Sequence, residues 1–273
     1  MSTCSLSWKI IAGLPIMLML NIVVQGEILQ PRRLIDAHTA GVMPKAYFDF
    51  ETRIYGSGDS TINGGGLSVG FVVGLTDRFN IGVSYGGDGI LGRGAAKPNP
   101  WPGVLVKYRI IEENYHIPAF AIGFDWQGYG GVEDDYKGYV YKSQGFFLAT
   151  SKNYLLFSTL NIGFHGAINY SLEDAAHIKW PNGFVGMDLG INEELYLAAE
   201  YDLALNSQAP SESKPYCNPL LGYLNLGIRW AFSESFYLEF DAKDVLQRKR
   251  LSKGSKEPLG WSRELKIVYI THF

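Results

Sequence analysis

The chain has 273 residues, room for one large domain or two small ones, and a formal charge of −3, so it offers no basic field to nucleic acid. Glycine (32), tyrosine (17) and phenylalanine (15) are abundant while long apolar runs are few. That composition suits an all-β chain and argues against a helical bundle.

Residues 1–26 are a different material from the rest. Lys9 precedes the apolar run Ile10–Val24, and Val24-Gln25-Gly26 closes it, the layout of a cleavable secretory signal peptide. The run is shorter than the roughly 20 residues a spanning helix needs. Losing Lys9 with this segment takes the mature charge from −3 to −4. Cys4 lies ahead of the run, so Cys217 is then the sole remaining cysteine and no disulfide or CxxC pair can form. Residues 27–45 have no clean period and read as an extended N-terminal segment, either at the periplasmic mouth of a barrel or inside it, as a plug.

From residue 46 to the end, at residue 273, the sequence alternates with period 2, which predicts a barrel of twelve strands. The first spans Ala46–Tyr55, with Phe48, Phe50 and Ile54 opposing Asp49, Glu51 and Arg53. The hairpin Gly65–Gly86 sets Leu67, Val69, Phe71, Val73 and Leu75 against Ser68, Gly70 and Gly74, with Val72 the one exception. It turns at Thr76–Arg78 and resumes at Phe79. The next strands are expected at Gly103–Ile110, Pro118–Gln127, Tyr139–Thr150 (of ambiguous parity) and Leu155–Asn169. The last five are expected at Gly183–Ile191, Leu195–Ala204, Leu220–Phe232, Phe236–Lys243 and Trp261–Phe273. Short polar turns, Ser151–Asn153 among them, alternate with long connections, the asymmetry of an even-stranded outer-membrane barrel.

A soluble sandwich would bury the apolar faces and wet the polar ones. Here the polar faces are rich in glycine and carry charges of both signs, as the inside of a closed barrel requires. Aromatic residues near strand ends, including Tyr55, Tyr85, Tyr108 and Trp230, suggest girdles at headgroup level. The chain ends on Phe273, with Tyr269 on the same face, a pattern that resembles the insertion signal read by the barrel-insertion machinery. The expected class is therefore all-β, an antiparallel transmembrane β-barrel in the outer membrane of a Gram-negative bacterium, in contact with lipid and lipopolysaccharide.

The lumen is expected to be lined by Asp49, Glu51, Arg53, Lys107, Arg109, Asp125, His165, Asp188, Glu200, Asp202, Arg229, Glu239 and Asp241, together with Lys243 and Lys266. In a wet lumen such groups hydrate; in a plugged one they form a network. Arg53, Lys107, Arg109 and Arg229 could contact a solute's anions or hydroxyls. No GxSxG, HExxH or paired-carboxylate motif is present, so no catalytic residue, cofactor or metal is expected. A nucleophile–base pair would have to join His165 to Ser143 or Ser158. The acidic loop around Glu133, Asp134 and Asp135 reads as solvated, and Gln247–Lys256 is a basic loop that would meet anionic lipopolysaccharide.

Several phrases in order carry a resemblance. They are LIDAHTAGVMP (Leu34–Pro44), GLTDRFNIGVSY (Gly74–Tyr85), VKYRIIEE (Val106–Glu113), PAFAIGFDWQGYGG (Pro118–Gly131) and SKNY (Ser151–Tyr154). Over residues 34–170 the chain resembles the outer-membrane barrels of the exopolysaccharide-biosynthesis (YjbH-like) family. The resemblance implies an outer-membrane barrel connected with surface polysaccharide and supplies no catalytic residue. Three readings stay open: passage or docking of a polar solute or polysaccharide, a closed structural or interaction barrel, and an outer-membrane hydrolase.

Overall fold

The computed structural model describes residues 30–56, 64–92, 95–133, 138–157, 160–173, 180–206, 222–247 and 261–273. The expected signal peptide, Cys217, Asp134, Asp135, Ser158 and most of the basic loop lie outside them.

The strands succeed one another as antiparallel neighbours. They are β1 (Tyr47–Gly56), β2 (Gly64–Thr76), β3 (Phe79–Gly92), the short β4 (Lys97–Pro98), β5 (Gly103–Ile111) and β6 (Ala119–Asp125). Then come a separate hairpin of β7 (Tyr129–Glu133) and β8 (Gly138–Tyr141), and after it β9 (Gly145–Leu156) and β10 (Leu160–Tyr170). The chain finishes with β11 (Asn182–Gly190), β12 (Leu195–Asp202), β13 (Tyr223–Ser233), β14 (Phe236–Lys243) and β15 (Ser262–His272). Leaving out β4, β7 and β8, each strand pairs with its chain neighbours, and β15 pairs with β1, so twelve strands close into a ring with no free edge.

Alternation decides what each face meets. Ile168, Val185, Ile228 and Phe240 point outward at 60%, 54%, 50% and 54% exposure. Their strand neighbours Asn169, Glu239 and Asp241 are buried inside, and Lys107 and Glu200 are exposed by only 0% and 1%. A soluble fold would have the reverse arrangement. An apolar exterior around an ionised interior is stable only where lipid replaces water outside. The chain is a transmembrane β-barrel. Twelve strands about 4.8 Å apart and tilted by about 40° give a backbone radius of roughly 12 Å, room for inward side chains and little more than one hairpin between them.

That hairpin is residues 30–45. Arg33 bridges His38, Leu34 N–H donates to Ala37 C=O at 2.9 Å and Thr39 N–H to Arg32 C=O at 3.1 Å, so the chain reverses at Leu34–Ala37. Both arms leave at the end of the barrel that carries the short turns: Gln30 reaches Glu113, and Lys45 N–H reaches Asp77 at 2.9 Å. Leu34, Ile35, Val42 and Met43 are buried in the lumen. Inward glycines make the sockets. A side chain at Gly186 would strike Leu34, one at Gly74 would strike the carbonyls of Met43 and Pro44, and Gly227 lies beneath Ile35. Part of the wall is apolar, where Val72, Leu105, Phe147, Ala149, Ala167 and Phe184 surround Ala37. Val72, the exception in its strand's alternation, belongs to this seam.

Three expectations are corrected. Ser151–Asn153 is not a turn: β9 continues to Leu156, the next strand starts at Leu160 rather than Leu155, and Ser151 faces His165 across the ladder. The segment Tyr139–Thr150 is not one strand, because Gly145, at a φ of +65°, breaks β8 from β9. Tyr55 is not a girdle residue: it shares parity with Arg53, is buried inside, and its hydroxyl donates to Gly87 C=O at 3.3 Å.

Candidate functional site

The candidate site is the lumen wall where it grips the hairpin. Opposite strands bring complementary groups to it because every second residue must point inward.

At the tip, the Glu200 carboxylate on β12 accepts the backbone N–H groups of Ile35, Asp36 and Ala37 at 3.1, 2.9 and 2.8 Å, and Asn225 from β13 at 3.0 Å. Three successive amides converging on one oxygen form an anion-binding nest. Beside them, Asp36 takes Lys243 at 2.8 Å and Arg53 at 3.5 Å. Lys243 also meets Glu264 at 2.5 Å, and Arg53 meets Glu264 at 3.2 Å and Glu51 at 2.6 Å. Lys266 donates to Ile35 C=O at 2.9 Å and touches Glu239 at 2.6 Å and Asp241 at 2.7 Å, while Arg229 reaches Glu239 at 2.5 Å.

Along the arms, Arg32 pairs with Asp49 at 2.5 Å, and Arg33 pairs with Asp125. His38 shares Asp125 at 2.9 Å and stacks on Phe147 with ring centroids 4.0 Å apart. His38 belongs to the hairpin rather than to a spanning strand. Burial, reinforced by the Arg33 charge, pushes its pKa down to about 3, so the ring is neutral. Lys107 donates to Arg32 C=O at 2.9 Å. Asn80 both accepts from Met43 N–H at 2.8 Å and donates to Met43 C=O at 2.9 Å.

His165 carries a chain of three bonds. Asp188 accepts from Nε2 at 2.5 Å, Ser151 Oγ donates to Nδ1 at 2.8 Å, and the same oxygen accepts Ala40 N–H at 2.8 Å. This assignment satisfies every proton with the Nε2–H tautomer. The residues are those of a nucleophile relay, yet Ser151 is 1% exposed and its oxygen is occupied by the hairpin. The serine bonded to His165 is thus Ser151 rather than Ser143, while Ser158 lies outside the described residues. The cross-strand register, His165 opposite Ser151, was the signal that would have found it.

Not every inward residue joins this network. Arg109 sits at the short-turn mouth, donating to Asp77 C=O at 3.0 Å. Asp202 caps the far end of its strand, accepting Asn182 and Ala204 N–H, both at 2.7 Å. Tyr269 faces outward, and Phe273 closes the rim, its N–H bonded to Ala46 C=O at 3.1 Å. From the opposite end, Gln144 at the base of the β7–β8 connection donates to Asp36 C=O at 2.6 Å, so the lumen is contacted from both mouths. Among the described residues, cavities beside the hairpin include one of about 60 Å³ (by Asp49 and Arg229) and one of about 20 Å³ (by Asp125 and Gln127).

No protein-family model and no curated protein matches the chain, so the resemblance to the exopolysaccharide-biosynthesis family gains no support. Among solved structures, the KdgM porin is similar over 82% of this chain and 99% of its own, at 8% identity and a TM-score of 0.48. The NanC porin is similar over 83% and 99%, at 9% identity and 0.42. An outer-membrane channel from Pseudomonas putida F1 is similar over 84% and 97%, at 9% and 0.41. Two are porins and the third an outer-membrane channel by name, and the architecture of this chain rests on its own strand pairing.

Proposed function

We propose that the chain is an outer-membrane barrel of a Gram-negative bacterium for the passage or docking of a polar solute, with residues 30–45 filling the lumen at rest. The observation that carries this is the manner of the grip. The wall holds the hairpin's backbone and charges mainly through side-chain hydrogen bonds and ion pairs, which a hydrated solute could take over. Contact with lipid and lipopolysaccharide is expected from the apolar belt, and assembly by the barrel-insertion machinery from the terminal Phe273. A surface-polysaccharide role rests on the sequence phrases alone. Single-channel recording in planar bilayers tests passage: the full chain conducts rarely, and a variant with a loosened hairpin, Glu200→Ala, conducts often. Silence in both rejects passage.

The small size of these cavities among the described residues favours a second reading, a closed structural barrel. It predicts that Asp125→Lys lowers stability and leaves permeability unchanged.

A further inference from the structure

The buried charges of the wall divide by what neutralises them. Its cations are largely served by the wall itself: Arg53 and Lys243 by Glu264, Lys266 and Arg229 by Glu239. Three of its acids are served by the hairpin. Asp49 meets Arg32, Asp125 meets Arg33 and His38, and Glu200 meets the amides of residues 35–37. Asp49 Oδ1 is buried with no hydrogen-bond partner among the described residues, and it borders the larger cavity. Lys107 is the converse case, a wall cation whose hydrogen bond goes to the hairpin. Withdrawing the hairpin therefore strands these three carboxylates against the Lys107 ammonium alone, because Lys243 and Arg53, which lose the hairpin's Asp36 at the same time, both keep Glu264. Buried charge left without a partner is costly, so the emptied lumen must recruit positive charge.

From this asymmetry, and resting on the proposed passage function, we infer that the solute is an organic polycation of the polyamine kind. Arg32 and Arg33 are its tethered stand-in, two adjacent cations that engage acids on two different strands, β1 and β6. The selectivity thus sits in Asp49, Asp125 and Glu200, not in the lumen cations that sequence alone brings forward.

The test uses the full chain carrying Arg32→Gln and Arg33→Gln, with spermine as the probe. In planar bilayers under a KCl gradient the variant should conduct with a reversal potential of the sign that marks K⁺ over Cl⁻, and spermine should block it. Spermine should also raise the thermal transition of the variant and leave that of the unsubstituted chain in place. Adding Asp49→Asn and Asp125→Asn should abolish both effects. A conducting variant that prefers chloride, or one indifferent to spermine in current and in melting, overturns the polycation inference while passage stands. If neither this variant nor Glu200→Ala ever conducts, passage itself falls; the spermine shift in melting then decides the acid site alone.

Discussion

Glu200 is the residue whose removal should most change the hairpin's hold. Its Oε2 accepts three buried N–H groups and its Oε1 accepts Asn225. Glu200→Ala leaves those donors without an acceptor. A buried unsatisfied donor costs about 1–3 kcal/mol, and three sharing one acceptor do not add fully, so about 4 kcal/mol is expected. Released into water the amides hydrate, so the cost appears as hairpin release rather than barrel unfolding. At about 1.4 kcal/mol per decade, the released population rises by roughly a thousandfold. Glu200→Gln can still offer a carbonyl to the three amides and loses mainly the Asn225 bond, about 1 kcal/mol and roughly fivefold. Hydrogen exchange at Ile35, Asp36 and Ala37, in the full chain in nanodiscs, reads these populations directly. Equal exchange in the two variants would refute the three-amide clamp.

The remaining predictions concern protons, the serine and the C-terminus. His38 is held neutral, with a folded pKa near 3 against about 6.5 when released, and it faces Asp125, Arg33 and Lys107. The released form binds the extra proton, so hairpin retention is fully present above pH 6.5 and falls toward pH 3 at about 1.4 kcal/mol per unit. Protease sensitivity of residues 30–45 should climb on acidification, and His38→Gln should flatten the profile. Ser151, capped by Ala40 N–H, should not react with a fluorophosphonate in the full chain, and Ser151→Ala should loosen the hairpin by about 1 kcal/mol. Labelling of the full chain would mean the serine is accessible. Deleting Phe273 should reduce the heat-modifiable barrel recovered from outer membranes, with little effect on the lumen, since that side chain is 80% exposed.

What was legible in the sequence was what has a period. Parity along Phe79–Gly86 or Leu224–Arg229 places each side chain correctly because the lipid and lumen faces demand opposite chemistry. Ser151-Lys152-Asn153 deceived for a physical reason: three turn-like residues are strand residues here because each has a partner at hand. Ser151 serves His165, Lys152 reaches the carbonyls of Asn114 and Tyr115, and Asn153 bonds Glu113. Tyr55 deceived because a ring near a strand end can cover a glycine inside as well as meet headgroups outside; it lies over Gly66. The hairpin itself has no period to read. Its arms are not strands of the barrel sheet, and its partners lie as far as 231 residues away along the chain.

The hairpin's affinity and its address are carried by different residues. Intact ion pairs inside a barrel roughly break even against the cost of desolvating them, so Arg32 and Arg33 chiefly specify position, although removing them alone leaves Asp49 and Asp125 buried without partners and so releases the hairpin. Leu34, Ile35 and Met43, each at most 2% exposed, contribute about 1.5–3 kcal/mol apiece by leaving water. Ile35 rests on Gly227, whose missing side chain makes the socket, with Ile35 Cγ1 3.3 Å from where a Cβ would stand. Ile35→Ala should therefore weaken retention by about 2–4 kcal/mol, raising the open probability by more than tenfold. It removes no charge, so the current it releases should keep the ion preference set by Asp49, Asp125 and Glu200. An altered preference in Ile35→Ala would show that the apolar tip, not the acids, governs what the lumen accepts.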